Sequence, residues 1–365
     1  MKDKIAILHL DSELGWRGGQ QQAVYLFEYL LKNNYKTHFI CRIESKLAGY
    51  FKQNDYPFHS LPLKNELDLY SAWKIAQFCQ KNHYQILHLH SAHALALGLL
   101  AKVFYRELKL IGVRRVDFKI KRNIFSQIKY KSNWIDVIIA ISDNIKRVML
   151  DDGIPANKIK TIRSGIDIHK FDKVPCNSSL KKDLDIPSDS LVIGTVAAIV
   201  GHKDYPNLLK AAEIVINSRE QVVFIAAGTG DKEKEVFALA KKLNLKGRFK
   251  FLGYRNDVGQ LLKLMDIFVL ASQMEGLGTS VLDAMSVGLP IVGTNAGGIP
   301  EMLKQNVSGL IVPKQNPQAL ADSLLKLIDK RELREKISQN AKQEVKQFDV
   351  SLTAKKNIEL YRQLI

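Results

Sequence analysis

Three observations predict an α/β protein built from two Rossmann-like domains with parallel sheets. Short apolar runs alternate with amphipathic stretches along the whole chain, which is the rhythm of parallel strands joined by helices. The rhythm breaks once, at 167–190, a polar stretch with Pro175 and Pro187 and no sustained period, which reads as a hinge. A chain of 365 residues also exceeds one ordinary core and suits two.

The first series has strands at 5–10, 37–41, 58–61, 86–89, 110–113, 137–140 and 159–162, each a short run of Ile, Leu, Val or aromatic residues between polar breaks. Helices at 20–32, 69–82 and 144–150 follow from apolar residues three and four apart. In the second series the strands lie at 191–196, 222–226, 249–252, 267–270, 290–292 and 309–312, with helices at 207–217, 232–243 and 282–287. The expected division is an amino-terminal domain at 1–172, a linker at 173–190 and a carboxyl-terminal domain at 191–350. Two such sheets facing each other leave a cleft between the carboxyl ends of their strands, where ligands of these sheets bind.

Composition narrows the class. The apolar fraction of 46% and charged fraction of 25% are ordinary for a globular chain. Cys41, Cys79 and Cys176 stand far apart with no paired spacing, as expected in a reducing cytoplasm. No signal peptide is expected from the start of the chain, and no window reaches the ~18 to 20 apolar residues of a membrane span.

The net charge of +17 is concentrated. Between Lys102 and Lys131 ten basic residues face only Glu107 and Asp117, interleaved with Phe104, Tyr105, Phe118, Phe125 and Tyr130. Such a face suits an anionic membrane surface, phosphorylated glycans or simple solvation. Nucleic acid is not expected, because no nucleic-acid motif accompanies the charge.

Residues 271–301 carry the densest chemistry. Glu275 and Asp283 stand eight positions apart around a turn holding Gly276, Leu277 and Gly278. The glycines permit close approach to a ligand. Thr279 or Ser280 is placed to cap a helix through Val287 whose positive end points into the same space. Upstream, the strand at 191–196 leads to Gly201, His202 and Lys203 before a helix, which sets an ammonium at the mouth of a strand-to-helix turn for a diphosphate. His202 reads equally as a ligand contact or a loop residue. Gly228 and Gly230 follow the next strand, and Gly253 to Asp257 the third. Four successive strand ends therefore bear ligand-like loops.

That order of loops over 190–315 closely resembles the donor-binding domain of retaining glycosyltransferases of family 4, in which two acidic residues separated by seven others hold a sugar nucleotide. The resemblance implies the GT-B fold, a nucleotide-diphosphate sugar as donor with no separate cofactor, and a carboxyl-terminal helix at 351–365 crossing back onto the first domain. It implies that Lys203 contacts the phosphates, Tyr254 and Arg255 lie beside the base, Glu275 holds hydroxyls of the transferred sugar and Asp283 takes the ribose diol. Two departures stand out: Asp283 replaces the usual second glutamate, and Ala197 and Ala198 stand where a basic residue is common.

In the first domain Arg17, Gly18 and Gly19 open a helix after the first strand, and the paired glycines let backbone amides face an oxyanion. The resemblance implies that this loop lies against the diphosphate or the acceptor, with Arg17 a candidate for the missing positive charge. His88, His90 and His93 have the two-then-three spacing of binuclear zinc hydrolases, but Ala92 stands where those enzymes need aspartate. No metal site is expected there; the strand end instead delivers His90 and His93 to the acceptor or the sugar. Where many relatives carry a sugar-supporting histidine this chain has Arg114, Arg115 and Asp117, a phosphate clamp and a group able to receive the acceptor proton, or a surface ion pair.

The expected activity is metal-independent transfer of a hexose-type sugar, with retention, from a nucleotide-diphosphate sugar to a lipid or glycan hydroxyl in cell-envelope polysaccharide or lipopolysaccharide synthesis. Glu275, Lys203, His93 and Asp117 are the catalytic candidates. The expected location is the cytoplasm, peripheral on the inner face of the membrane. A nucleotide-sugar epimerase or hydrolase on the same scaffold is the alternative. The nucleotide base is left open.

Overall fold

The computed structural model describes residues 5–120, 123–175, 177, 179–245 and 247–365. Cys176, and Lys121 and Arg122 of the basic tract, lie outside the described residues. The chain forms two compact units, one of residues up to Asp167 together with Val350–Ile365, the other Ile168–Asp349.

The first unit is a seven-stranded parallel sheet of β1 (Ala6–Asp11), β2 (Lys36–Arg42), β3 (Phe58–Leu61), β4 (Ile86–Leu89), β5 (Lys109–Arg114), β6 (Val137–Ala140) and β7 (Ile159–Thr161), in the order β3-β2-β1-β4-β5-β6-β7. The second is a six-stranded parallel sheet of β8 (Leu191–Val196), β9 (Val222–Ala227), β10 (Phe249–Phe251), β11 (Ile267–Leu270), β12 (Ile291–Thr294) and β13 (Leu310–Val312), in the order β10-β9-β8-β11-β12-β13. Every residue of β1, β4, β9, β11 and β12 is buried, so these strands read as continuous apolar runs because helices cover both faces. In each sheet the strand order reverses once, between β1 and β4 and between β8 and β11. A crevice opens at the carboxyl ends of the strands at such a point.

Helices begin where polar side chains satisfy free amides. Ser45 accepts from Ala48 N, Asp68 from Ser71 N, Ser91 from Ala94 N, Asn123 from Ser126 N and Ser142 from Ile145 N. The structure adds helices at Lys46–Gln53, Ala92–Phe104 and Ile124–Lys131 to those expected. AHALALGLLAKVF is apolar nearly all round, and the 124–131 helix turns its apolar side outward.

The expected linker is not one. Residues 173–190 hold a short helix, Leu180–Asp183, and bury Leu180 and Ile186. Phe171, just before this stretch, and Val174 within it pack so closely on Gly259 that a Cβ there would lie 2.7 Å from Phe171 Cδ1. Proline and polarity signal irregular backbone, and here that backbone belongs to the second unit. The chain divides at Asp167/Ile168 rather than near residue 172.

Helix Val350–Leu364 belongs to the first unit. Ala354, Ile358 and Tyr361 join Ile7, Leu26, Leu30, Ile86 and Ile139 in one core cluster. Val350 N donates to Ile166 O at 2.8 Å, Thr353 Oγ1 to Arg163 O at 2.9 Å, and the Tyr361 hydroxyl bonds His88 Nδ1 at 2.6 Å. Tyr361→Ala is expected to destabilise the protein by about 3–5 kcal/mol and Tyr361→Phe by about 1 kcal/mol, read as shifts of the urea midpoint.

Candidate functional site

The carboxyl ends of β8 and β11 bring the second unit's chemistry together, and close backbone contacts fix it. After β11 the chain runs through Ser272, Glu275, Gly276 and Leu277 into helix Thr279–Ser286. Gly297, at φ +52°, lies so close to this turn that a Cβ would meet Glu275 O at 1.7 Å. Gly298 N donates to the same carbonyl at 3.0 Å, and Thr294 Oγ1 donates to Ser272 O at 2.5 Å. Only glycine at 297 admits this approach.

The turn after β8 is tied to the same segment. Gln273 N donates to His202 O at 2.9 Å and its side-chain amide to Gly201 O at 3.1 Å. These bonds set Lys203, at the end of the Gly201–Lys203 turn, against Glu275. The two form an ion pair, and Ser272 Oγ donates to the same carboxylate oxygen, Glu275 Oε2, at 3.1 Å. Both side chains are mostly shielded from water, so the pair attracts more strongly than a surface pair and each partner would be costly to leave alone.

Asp283 lies in the second turn of helix Thr279–Ser286. Its Oδ1 is buried without a hydrogen-bond partner. Burial pushes its carboxyl up to about 6, and the positive charge of Lys170 offsets this only in part. Such a carboxylate is held for a ligand donor or stays partly protonated. The helix cap differs from expectation: neither Thr279 nor Ser280 caps it. Gly278, at φ +92°, is the N-cap and no side chain bonds the first amides.

The other expected donor contacts serve partly in packing. A Cβ on Gly228 would sit 2.1 Å from Ala197 O, and one on Gly230 2.1 Å from Ile199 O. The Gly230 amide is taken by Glu233 Oε1 at 2.9 Å. These glycines are thus required by the fit between loops, over the backbone where a basic residue is commonly found. Arg255 is paired with Asp257 through bonds of 2.8 and 2.6 Å, beside an exposed Tyr254. Leu277 is buried in the core.

In the first unit, β1 and β4 place His9 opposite His88 in register, and His90 follows on the same face. The three imidazoles bring ligand atoms within 4.8 Å of one another. Their rings, however, stack at centroid distances of 5.5, 5.2 and 4.5 Å and lie within 26° of parallel. The cluster is a hydrogen-bonded stack: His9 Nδ1 lies 2.9 Å from His90 Nε2 and Arg115 Nη2 lies 3.5 Å from His90 Nδ1. A guanidinium only donates, so His90 Nδ1 accepts, its proton sits on Nε2, and His9 carries its own on Nε2. Burial holds His9 down at about 3 and His88 and His90 well below the usual imidazole value.

His90 therefore spends both nitrogens inside the protein, against the expectation that it is free for an acceptor. His93 is not on the strand end but in the first turn of helix Ala92–Phe104, where its Nε2 is buried without a partner. Gly18 and Gly19 form the first turn of helix Gly18–Lys32. A Cβ on Gly19 would touch Arg115 Cδ at 3.1 Å. Arg17 is exposed, and its amide is capped by Gln20 Oε1 at 3.0 Å. Arg114 donates to Phe118 O and stacks over Tyr130 at 5.1 Å, so it braces the loop rather than clamping a phosphate. Burial lowers Arg115 to about 10, opposed by Asp11. Asp117 is half-buried in that loop. Sequence reasoning missed His9, and also Asp11, whose carboxyl burial raises to about 6 against bonds from Glu13 N and Gln20 Nε2. A lone polar residue in an apolar strand was the available signal for each.

Part of the basic tract is engaged within the first unit, while Arg106, Lys119 and Lys131 are exposed. Lys102 and Lys109 pair with Asp136, and Lys129 with Glu66. No helix among the described residues is long and apolar enough to cross a membrane.

The neutral imidazoles give a pH prediction. In the unfolded chain His9, His88 and His90 would take up protons near 6.5, whereas in the fold they do not. Their contribution to stability is complete above that value and is lost as pH falls below it, by up to about 1.4 kcal/mol per unit for each. Asp11 and Asp283, raised to about 6, act oppositely, binding protons in the fold first. His9→Phe, which keeps the ring stack, should flatten the acid limb of the stability profile, and the three wild-type imidazoles should show no titration by NMR between pH 7 and 5.

Comparison with known proteins gives a consistent picture. Residues 177–344 match the family described as Glycosyl transferases group 1, and residues 16–170 match Glycosyltransferase Family 4. A UDP-Gal:α-D-GlcNAc-diphosphoundecaprenol α-1,3-galactosyltransferase of Escherichia coli is 26% identical over 352 residues, covering 90% of this chain and 89% of that one. An N,N'-diacetylbacillosaminyl-diphospho-undecaprenol α-1,3-N-acetylgalactosaminyltransferase of Campylobacter jejuni is 28% identical, covering 73% and 72%. Among solved structures, Anabaena HepE in complex with UDP superposes with a TM-score of 0.87 at 21% identity, covering 98% of this chain and 100% of that one.

Proposed function

Since the chain belongs to the family 4, group 1 glycosyltransferases of GT-B fold, we propose that it moves a hexose-type sugar, with retention, from a nucleotide-diphosphate donor to a hydroxyl of a lipid-linked or glycan acceptor in envelope polysaccharide synthesis. The observation that carries this reading is the shielded Lys203–Glu275 pair at the switch point of the second sheet. An ammonium there meets the diphosphate, and a carboxylate already fixed by Ser272 accepts from vicinal sugar hydroxyls without reorganising. Asp283 Oδ1, buried and without a partner, takes the ribose diol.

The chemistry needs little else. As the anomeric carbon–oxygen bond breaks, its electron pair leaves with the diphosphate. Lys203 and the uncapped amides of helix Thr279–Ser286 neutralise the growing charge. The acceptor hydroxyl attacks the oxocarbenium-like carbon from the face the diphosphate leaves, and a phosphate oxygen takes its proton. Transfer is metal-independent and persists in chelator. UDP is the donor nucleotide to test first, because the E. coli relative is named for UDP-galactose and HepE was solved with UDP. The enzyme works peripherally on the cytoplasmic face of the membrane that holds its acceptor.

Glu275→Gln should lower kcat at least about 100-fold while leaving donor binding measurable. Full turnover by that variant, or inversion at the anomeric centre seen by NMR of the product, overturns the assignment. Asp283→Asn separates stability from binding: removing a carboxyl whose charged form burial disfavours should raise the melting temperature of the free protein, and the rise induced by UDP-sugar should shrink. An unchanged nucleotide-induced rise would remove Asp283 from the site.

A further inference from the structure

Helix Ile124–Lys131 is oriented backwards for a surface helix. Ile124, Phe125 and Ile128 are exposed, Phe125 at 70%, while Lys129 and Tyr130 are buried. The inward lysine is fastened, its Nζ lying 2.5 Å from Glu66 Oε1. That ion pair sets the helix beside the segment that follows Glu66, whose Leu67, Leu69, Tyr70 and Trp73 are also exposed. Seven large apolar side chains thus stand outward from two segments joined by one bridge. Burying a charge and exposing isoleucine and phenylalanine costs free energy in water on both counts, so the face is built for a surrounding that is not water.

We propose that this face inserts into an anionic lipid bilayer. Charge complementarity selects that occupant. Lys64, Lys119 and Lys131, close in sequence to the apolar residues, are exposed, and Lys74 lies over the Trp73 ring at 4.8 Å. The nearby acids are engaged: Glu66 by Lys129, Asp68 by Ser71 N and Lys64 N, and Asp152 by Ile120 N. Exposed aliphatic and phenyl side chains with Trp, Tyr and lysines on the same segments match acyl chains, interface and headgroups in turn. The inference deepens the proposed function, resting on it only in taking the acceptor to be lipid-linked. It also differs from a purely electrostatic attachment, because insertion survives salt.

The test is flotation of the full chain with phosphatidylcholine vesicles containing about one third phosphatidylglycerol. Wild-type protein is expected to float, and to keep a measurable share of its binding at about 0.5 M salt. Phe125→Glu with Ile128→Glu should lower the partition coefficient at least about tenfold. Its melting temperature and its UDP-sugar-induced rise should match wild type, which separates a failure of this inference from a failure of the donor site. Binding that vanishes in salt, or that the double variant retains, overturns insertion. So does a wild-type dimer that the variant converts to monomer, which would assign the face to a second copy. If the double variant unfolds, Phe125→Ser alone must still weaken flotation, or the proposal fails.

Discussion

The chemistry of the second unit depends on a backbone contact that no side chain could tolerate. Gly297 lies against the Glu275 carbonyl at a distance that excludes a Cβ. From that contact follow the position of the Glu275 turn, the seat of helix Thr279–Ser286 and, through the Gln273 bonds to His202 and Gly201, the reach of Lys203. Gly228 and Gly230 press the same way on Ala197 and Ile199. Loops packed backbone to backbone are stiff, and stiffness lets a carboxylate and an ammonium be held in place before any ligand arrives.

Much of this was legible in the sequence, for identifiable reasons. Strands buried on both faces are short apolar runs, so their positions could be read to within a few residues. Lys203 and Glu275, which the fold brings into an ion pair, stood out because turn glycines flank them. Helix Ala92–Phe104 was not legible, since a helix apolar on nearly all sides has no period to detect. Nor was the membership of residues 168–190, because Phe171, Leu180 and Ile186 are single apolar residues in a polar stretch and only the packed fold reveals where they go.

Charge was the least reliable guide. Ten basic residues between Lys102 and Lys131 suggested a continuous positive face. In the fold Lys102, Lys109, Arg114 and Lys129 are spent on Asp136, Phe118 O and Glu66, and large apolar side chains stand exposed among the remaining basic residues. The histidines misled in the opposite sense. His90 was expected to face the acceptor or the sugar, whereas the strands place it with His9 and His88 in a stack closed by Arg115 and Tyr361. Pairing across strands cannot be seen from spacing along one.

The return of helix Val350–Leu364 to the first unit has a consequence for biosynthesis. The first sheet is complete at residue 161, yet Ile7, Leu26 and Ile86 lack their cover until Ile358 and Tyr361 arrive. On a ribosome, therefore, the amino-terminal unit waits with part of its core bare while the whole of the second unit is made and folds. Helix Val350–Leu364 acts as its keystone, and a nascent chain released short of it would carry a finished second unit and an unsealed first one.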